Sequence, residues 1–176
     1  MAHKVIMAGF GGQGVVLMGK LLAHAAMMDG KNSTFFPSYG AAMRGGTANC
    51  SVVVSDEEIA SPVVRNPDSV IAMNELSLNK FEKSINSGGT IFINSSLVKK
   101  LPNRKDISAV PVPANEIAEK LGDVRAANMA LLGAFLKKTQ TVTLETVMSS
   151  LDAIISERRK GLIGINRDAL KSGYSL

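Results

Sequence analysis

At 176 residues, 45% of them hydrophobic and 20% charged, the chain has the size and composition of one soluble globular domain with a sizeable core, spanning residues 1–176. Its 20 basic and 15 acidic residues leave a formal charge of +5. The basic residues fall in short clusters (Lys99-Lys100 with Arg104-Lys105, Lys137-Lys138, Arg158-Arg159-Lys160) with no aromatic residues among them, which suits solvated surfaces or an anionic partner and argues against nucleic acid.

A single cysteine, Cys50, excludes a disulfide framework within the chain and points to a reducing, cytoplasmic compartment. One thiol is also too few for an iron–sulfur cluster, which takes four ligands as a rule. Cys50 lies in an apolar run, where a buried, inert thiol is expected. His3 and His24 are the only histidines and share no metal-ligand spacing, and His24, inside the first helix, is expected to have a surface or packing role. No leader peptide and no membrane span is expected.

In chain order, Lys4 to Ala8 reads as a buried strand, and Gly14 to Asp29 as a helix with Val15, Met18, Gly19, Leu22, Ala23 and Ala26 on one face. Ser33 to Phe36 reads as a strand ended by Pro37, and Ser38 to Thr47 as a glycine-rich loop. Strands are predicted over Asn49 to Ser55 and Ser69 to Met73, with a further extended piece over Ile59 to Val64. Asn74 is placed to cap a helix that buries Leu78, Phe81 and Ile85. Thr90 to Asn94 and Ile107 to Val112 read as strands, and Ala114 to Leu121 as a short helix. The rest reads as helices over Arg125 to Lys138, with Met129, Leu132, Gly133 and Leu136 on one side, over Thr143 to Ser156, with Thr143 as cap, and over Asn166 to Lys171. No internal repeat or low-complexity linker interrupts the order. It predicts an α/β three-layer sandwich with a mostly parallel sheet, a Rossmann-like first βα unit and a helical C-terminal third.

The stretch with chemical content is Gly9-Phe10-Gly11-Gly12-Gln13-Gly14, between the first strand and the first helix. Glycines there permit a tight turn, and the helix start aims free N–H groups at any anion. A dinucleotide site would also need a carboxylate closing the second strand, about 20 residues on. Asp29 falls before that strand and Pro37-Ser38 follows it, so NAD or FAD is disfavoured. The Lys-Ser/Thr ending of a triphosphate loop is missing as well. Packing and anion binding both remain open for the turn. Arg44, beside Gly45-Gly46, offers a planar fork to an anion or an anchor to a neighbouring subunit. No catalytic or metal-ligating constellation is evident.

These motifs together resemble one family. The turn, then Tyr39, Arg44-Gly45-Gly46, Ser51 to Ser55, Ile59-Ala60-Ser61-Pro62, Pro67-Asp68, the Gly89 to Asn94 strand, and Asn128 with Leu132-Gly133-Ala134 are similar to the gamma subunit of 2-oxoacid:ferredoxin oxidoreductases. The resemblance implies a complex that decarboxylates a 2-oxoacid, forms acyl-coenzyme A and reduces ferredoxin. Alpha, beta and delta-type partners would carry thiamine diphosphate and the iron–sulfur clusters. Gly9, Gly11, Gly12, Gln13, Gly14, Tyr39, Arg44, Gly45 and Gly46 would then face coenzyme A or a partner subunit, with no catalytic residue and no metal here. The lean is toward 2-oxoglutarate or a branched-chain 2-oxoacid. An indolepyruvate-type subunit and a stand-alone phosphate-binding regulatory module are the alternatives. The isolated chain would be inactive, would expose an apolar patch and could self-associate.

Overall fold

The computed structural model describes residues 2–39 and 46–176; nothing is stated for the side chains of Tyr39 and residues 157–159. Six strands form one sheet: β1 (Ala2–Phe10), β2 (Asn32–Tyr39), β3 (Thr47–Ser55), β4 (Ser69–Ala72), β5 (Thr90–Asn94) and β6 (Ser108–Val112). The order is β2-β3-β1-β4-β5-β6. β1, β4, β5 and β6 run parallel, and β3 is antiparallel to both neighbours, so only β3 is reversed. The helices are α1 (Val15–Met28), α2 (Glu75–Phe81), α3 (Ala114–Lys120), α4 (Ala127–Thr139), α5 (Leu144–Ile154) and α6 (Ile163–Tyr174).

Central β1 is buried on both faces, which is why its apolar run is continuous rather than alternating. Val5 and Met7 join Ile71, Phe92 and helices α1 and α3 to α6 in the larger core. Ile6 and Ala8 join Val70, Ile91 and Ile93 in a smaller one, closed by Leu78, Ile85 and Val98. The three layers are therefore unequal. One face carries five helices, and the other carries α2 and connecting segments.

The expected strands and helices are present with five differences. The helix capped by Asn74 stops at Phe81, which is only partly buried, and a 3-10 turn at Glu82–Ser84 carries the chain on to buried Ile85. β2 continues through Pro37 to Tyr39, because an edge strand tolerates a residue with no N–H to donate. Ile59 to Val64 forms no strand; Val64 packs against the smaller core and the Pro62 carbonyl accepts from Ser51 Oγ at 3.3 Å. The last helix is longer than expected and follows a 3-10 segment at Glu157–Leu162. α4 is preceded by a 3-10 turn at Val124–Ala126 and is buried on all sides from Ala127 to Leu136, where periodicity marked one face. It lies between the sheet, with Phe135 edge-on to Phe92 at 5.6 Å, and α6.

Cys50 is fully buried, as expected for a packing thiol. Its Sγ donates to the Val15 carbonyl at 3.2 Å, and burial pushes the thiol up to about 12. His24 Nδ1 lies 2.9 Å from Ser150 Oγ and joins α1 to α5. No described helix is long and apolar enough to cross a membrane.

Candidate functional site

β1 delivers the chain to the glycine turn, and α1 takes it away. Gly12 and Gly14 adopt φ of +100° and +74°, the left-handed region that side chains rarely enter. Gly9 is a close approach instead: an added Cβ would lie 2.8 Å from Gln13 Oε1 and 2.9 Å from Met73 Cβ. Gly14 caps α1 with backbone only, and among the described residues no side chain bonds the N–H groups of the first helical turn.

Amides hold the turn from two sides. Gln13 Oε1 accepts from the Phe10 N–H at 2.7 Å and from Asn74 Nδ2 at 3.1 Å. Asn74 Oδ1 in turn accepts from the Ser77 N–H at 2.9 Å, capping α2 as its position predicted. Gln13 thus faces inward and spans the crevice between the ends of β1 and β4. Behind the turn, buried Asn128 donates from Nδ2 to the Gly14 carbonyl at 3.2 Å, and an added Cβ on Gly14 would strike that amide. In front, the Gly11 N–H donates to the Gly46 carbonyl at 2.9 Å, which brings the expected second glycine segment to the first. Arg44 and Gly45 lie outside the described residues. Tyr39 ends β2, its backbone paired with Ala48.

The turn opens into a cavity of about 550 Å³. Gly11, Gly12, Gly14 and the first turn of α1 form one wall. Ile154, Ile155, Leu162 and Ile165 form an apolar wall, and Asp123, Arg125, Asn128 and Asn166 add polar groups. Arg125 pairs with Asp123 at 2.6 Å, its side chain 71% exposed against 13% for the carboxylate. The Arg125 hydrogen bonds hold the Asp123 carboxyl below its ordinary range, and Asp123 also accepts from the Arg125 N–H at 2.9 Å. The groove therefore offers free helical N–H groups and a guanidinium at one end and aliphatic carbon along its side. That chemistry suits an anion attached to a long, flexible chain. Among the described residues no group of three His, Cys, Asp or Glu could hold a metal ion.

The turn is legible in the sequence, and Asn128 is among the residues that carry the resemblance, but the other groove residues are not marked as a site. Asp123, Arg125 and the α5–α6 wall lie more than 100 residues from the turn, and only the capping pattern of Asp123 before a helix marks any of them.

Asp29 has a structural task. Its Oδ2 accepts from the Thr143 N–H at 3.0 Å and its Oδ1 from Thr146 Oγ1 at 2.6 Å, pinning the end of α1 to the start of α5. Strand β2 is separated from β1 by β3, so the strand that would carry a ribose-binding carboxylate is not beside the turn. Asp29→Ala is expected to cost about 1–3 kcal/mol of stability in urea denaturation, since two donors at the α5 start lose their acceptor. Ligand affinity at the turn should not change.

Residues 4–176 match the family described as pyruvate ferredoxin/flavodoxin oxidoreductase. The ketoisovalerate oxidoreductase subunit VorA of Methanothermobacter marburgensis is 37% identical over 97% of this chain, but the chain spans only 35% of that protein. The 2-oxoglutarate synthase subunit KorC of Methanocaldococcus jannaschii is 33% identical over 100% of this chain and 94% of its own length. Among solved structures, the keto/oxoacid ferredoxin oxidoreductase gamma subunit of Geobacter sulfurreducens superposes with a TM-score of 0.84 at 27% identity, covering 98% of this chain and 96% of that one.

Proposed function

The chain belongs to the pyruvate ferredoxin/flavodoxin oxidoreductase family as a gamma-type subunit, and from that premise we propose that it serves a thiamine-diphosphate-dependent 2-oxoacid:ferredoxin oxidoreductase. In this reading the assembled enzyme converts a 2-oxoacid and coenzyme A to an acyl-coenzyme A and passes the electrons to ferredoxin. This chain contributes assembly and coenzyme A binding, and alpha, beta and delta-type partners hold thiamine diphosphate and the clusters. A 2-oxoglutarate or branched-chain substrate is favoured by the names of its relatives, a 2-oxoglutarate synthase subunit and a ketoisovalerate oxidoreductase subunit.

The observation that carries the coenzyme A role is the uncapped start of α1 at the end of a groove with an aliphatic side. Phosphates would take the free N–H groups and Arg125, and the flexible arm would lie along Ile154 and Ile165. A coenzyme A titration of the assembled complex tests it. Arg125→Ala removes a charged donor and leaves Asp123 unpaired beside the anion, so affinity should fall by roughly tenfold. Unchanged affinity would remove Arg125 from the site.

A further inference from the structure

The thinly covered face of the sheet carries a surface that the groove does not use. Leu76 on α2, and Leu97 and Leu101 on the irregular segment after β5, are 58%, 49% and 60% exposed. Leu76 and Leu97 leave the same edge of the sheet, because β4 and β5 pair with Ala72 beside Ile93 and each leucine follows four residues later. Lys100 Nζ donates to Asn79 Oδ1 at 3.3 Å, tying the segment of Leu101 to α2 one turn beyond Leu76.

Cations flank these leucines along the chain. Lys80, Lys83, Lys99, Lys100 and Lys105 are all exposed, and none is in an ion pair with another described residue. Lys99 donates to the Ser95 carbonyl at 2.9 Å, and Lys80 lies 5.2 Å over the Phe81 ring. The nearby carboxylates are largely engaged. Asp106 pairs with Arg104, and buried Glu82 accepts from the backbone N–H groups of Asn103 and, at 3.0 Å, Arg104. Glu75, in the first turn of α2, and Glu116, whose N–H donates to Ser96 Oγ at 3.3 Å beside Leu97, are the exposed exceptions. The connection between β5 and β6 has no regular structure, yet it is fastened. Val98 is buried, its N–H donates to the Asn94 carbonyl at 2.9 Å, and Arg104 donates to the carbonyls of Glu82 and Ile85. A segment held this firmly with leucines outward is organised in advance for a partner.

We propose that this face docks an acidic co-subunit of the assembly, one presenting apolar side chains ringed by carboxylates. Apolar side chains with charged neighbours are the anatomy of a protein interface, and the lysines select a partner of opposite charge. The same lysines repel a second copy of this face, which argues against self-docking. The proposal rests on the subunit reading above.

The test measures the affinity of the chain for its purified co-subunits by sedimentation, at about 50 mM and about 500 mM salt. The Lys99→Glu/Lys100→Glu/Lys105→Glu variant should bind roughly 30-fold more weakly at low salt, with the difference shrinking at high salt. Leu97→Ser/Leu101→Ser should lose about tenfold at both. Both variants change exposed side chains, so their melting temperatures should equal that of the parent chain. Glu82→Ala removes no cation and takes away the acceptor of the Asn103 and Arg104 N–H groups, which loosens the segment, so it should also weaken binding. Parent-level affinity in all three variants, with no salt dependence, would overturn the docking face and leave the subunit reading standing. Failure of the parent chain itself to assemble would remove both.

Discussion

Gly173→Ala is expected to lower the melting temperature of the chain by about 6–12 °C, a loss of about 3 kcal/mol for a protein of this size. The reason lies where α4 crosses α6. A Cβ on Gly173 would fall on the carbonyl of Ala130, and one on Gly133 would fall on the carbonyl of Leu170. These are backbone atoms inside helices, so relief requires the helices to separate rather than a side chain to turn. Separation would also disturb the buried surface of α4, which includes Leu131, Leu132 and Phe135. Ile165 and Asn166 of α6 line the groove, so ligand binding should weaken together with stability. Thermal unfolding followed by circular dichroism measures the first effect. A shift below about 2 °C would show that the crossing relaxes without cost.

Gly12→Val should behave in the opposite way, damaging binding more than folding. An added Cβ at Gly12 meets no described residue within 4 Å, so among the described residues the fold bears only the cost of a side chain at φ +100°. That cost is roughly 1–3 kcal/mol. The new side chain occupies a position on the groove wall beside the free N–H groups of α1. Coenzyme A affinity of the assembled complex should fall by about 100-fold, because the anion can no longer approach the backbone. Parent-level affinity in a folded variant would mean that the turn serves packing alone.

How far the sequence can be read depends on the range of the interaction. Thr90–Asn94 is a strand as expected, since an apolar run bounded by Gly88-Gly89 is local information. The caps Asn74 and Thr143 were legible for the same reason, each side chain accepting from an N–H three residues on. The insertion of β3 between β1 and β2 was not legible, because strand partners are chosen through sheet closure and not through periodicity. Burial all round α4 was hidden similarly: Met129, Leu132, Gly133 and Leu136 look like one face of an ordinary helix until α6 is in place.

The site divides along the same line. The left-handed glycines and the uncapped start of α1 follow from the local spacing. The inward turn of Gln13 does not, since it depends on Asn74 arriving from the end of β4. Nor does the apolar wall of the groove, which comes from α5, α6 and the segment joining them.

The central claim is that this chain places the free N–H groups at the start of α1 against coenzyme A. Hydrogen–deuterium exchange on the assembled complex, with and without coenzyme A, tests it most directly. Coenzyme A should slow exchange in peptides covering residues 11–17, which contain the turn and the first turn of α1, and this protection should disappear in Gly12→Val. Protection confined to the partner subunits, with residues 11–17 exchanging as fast as before, would contradict it.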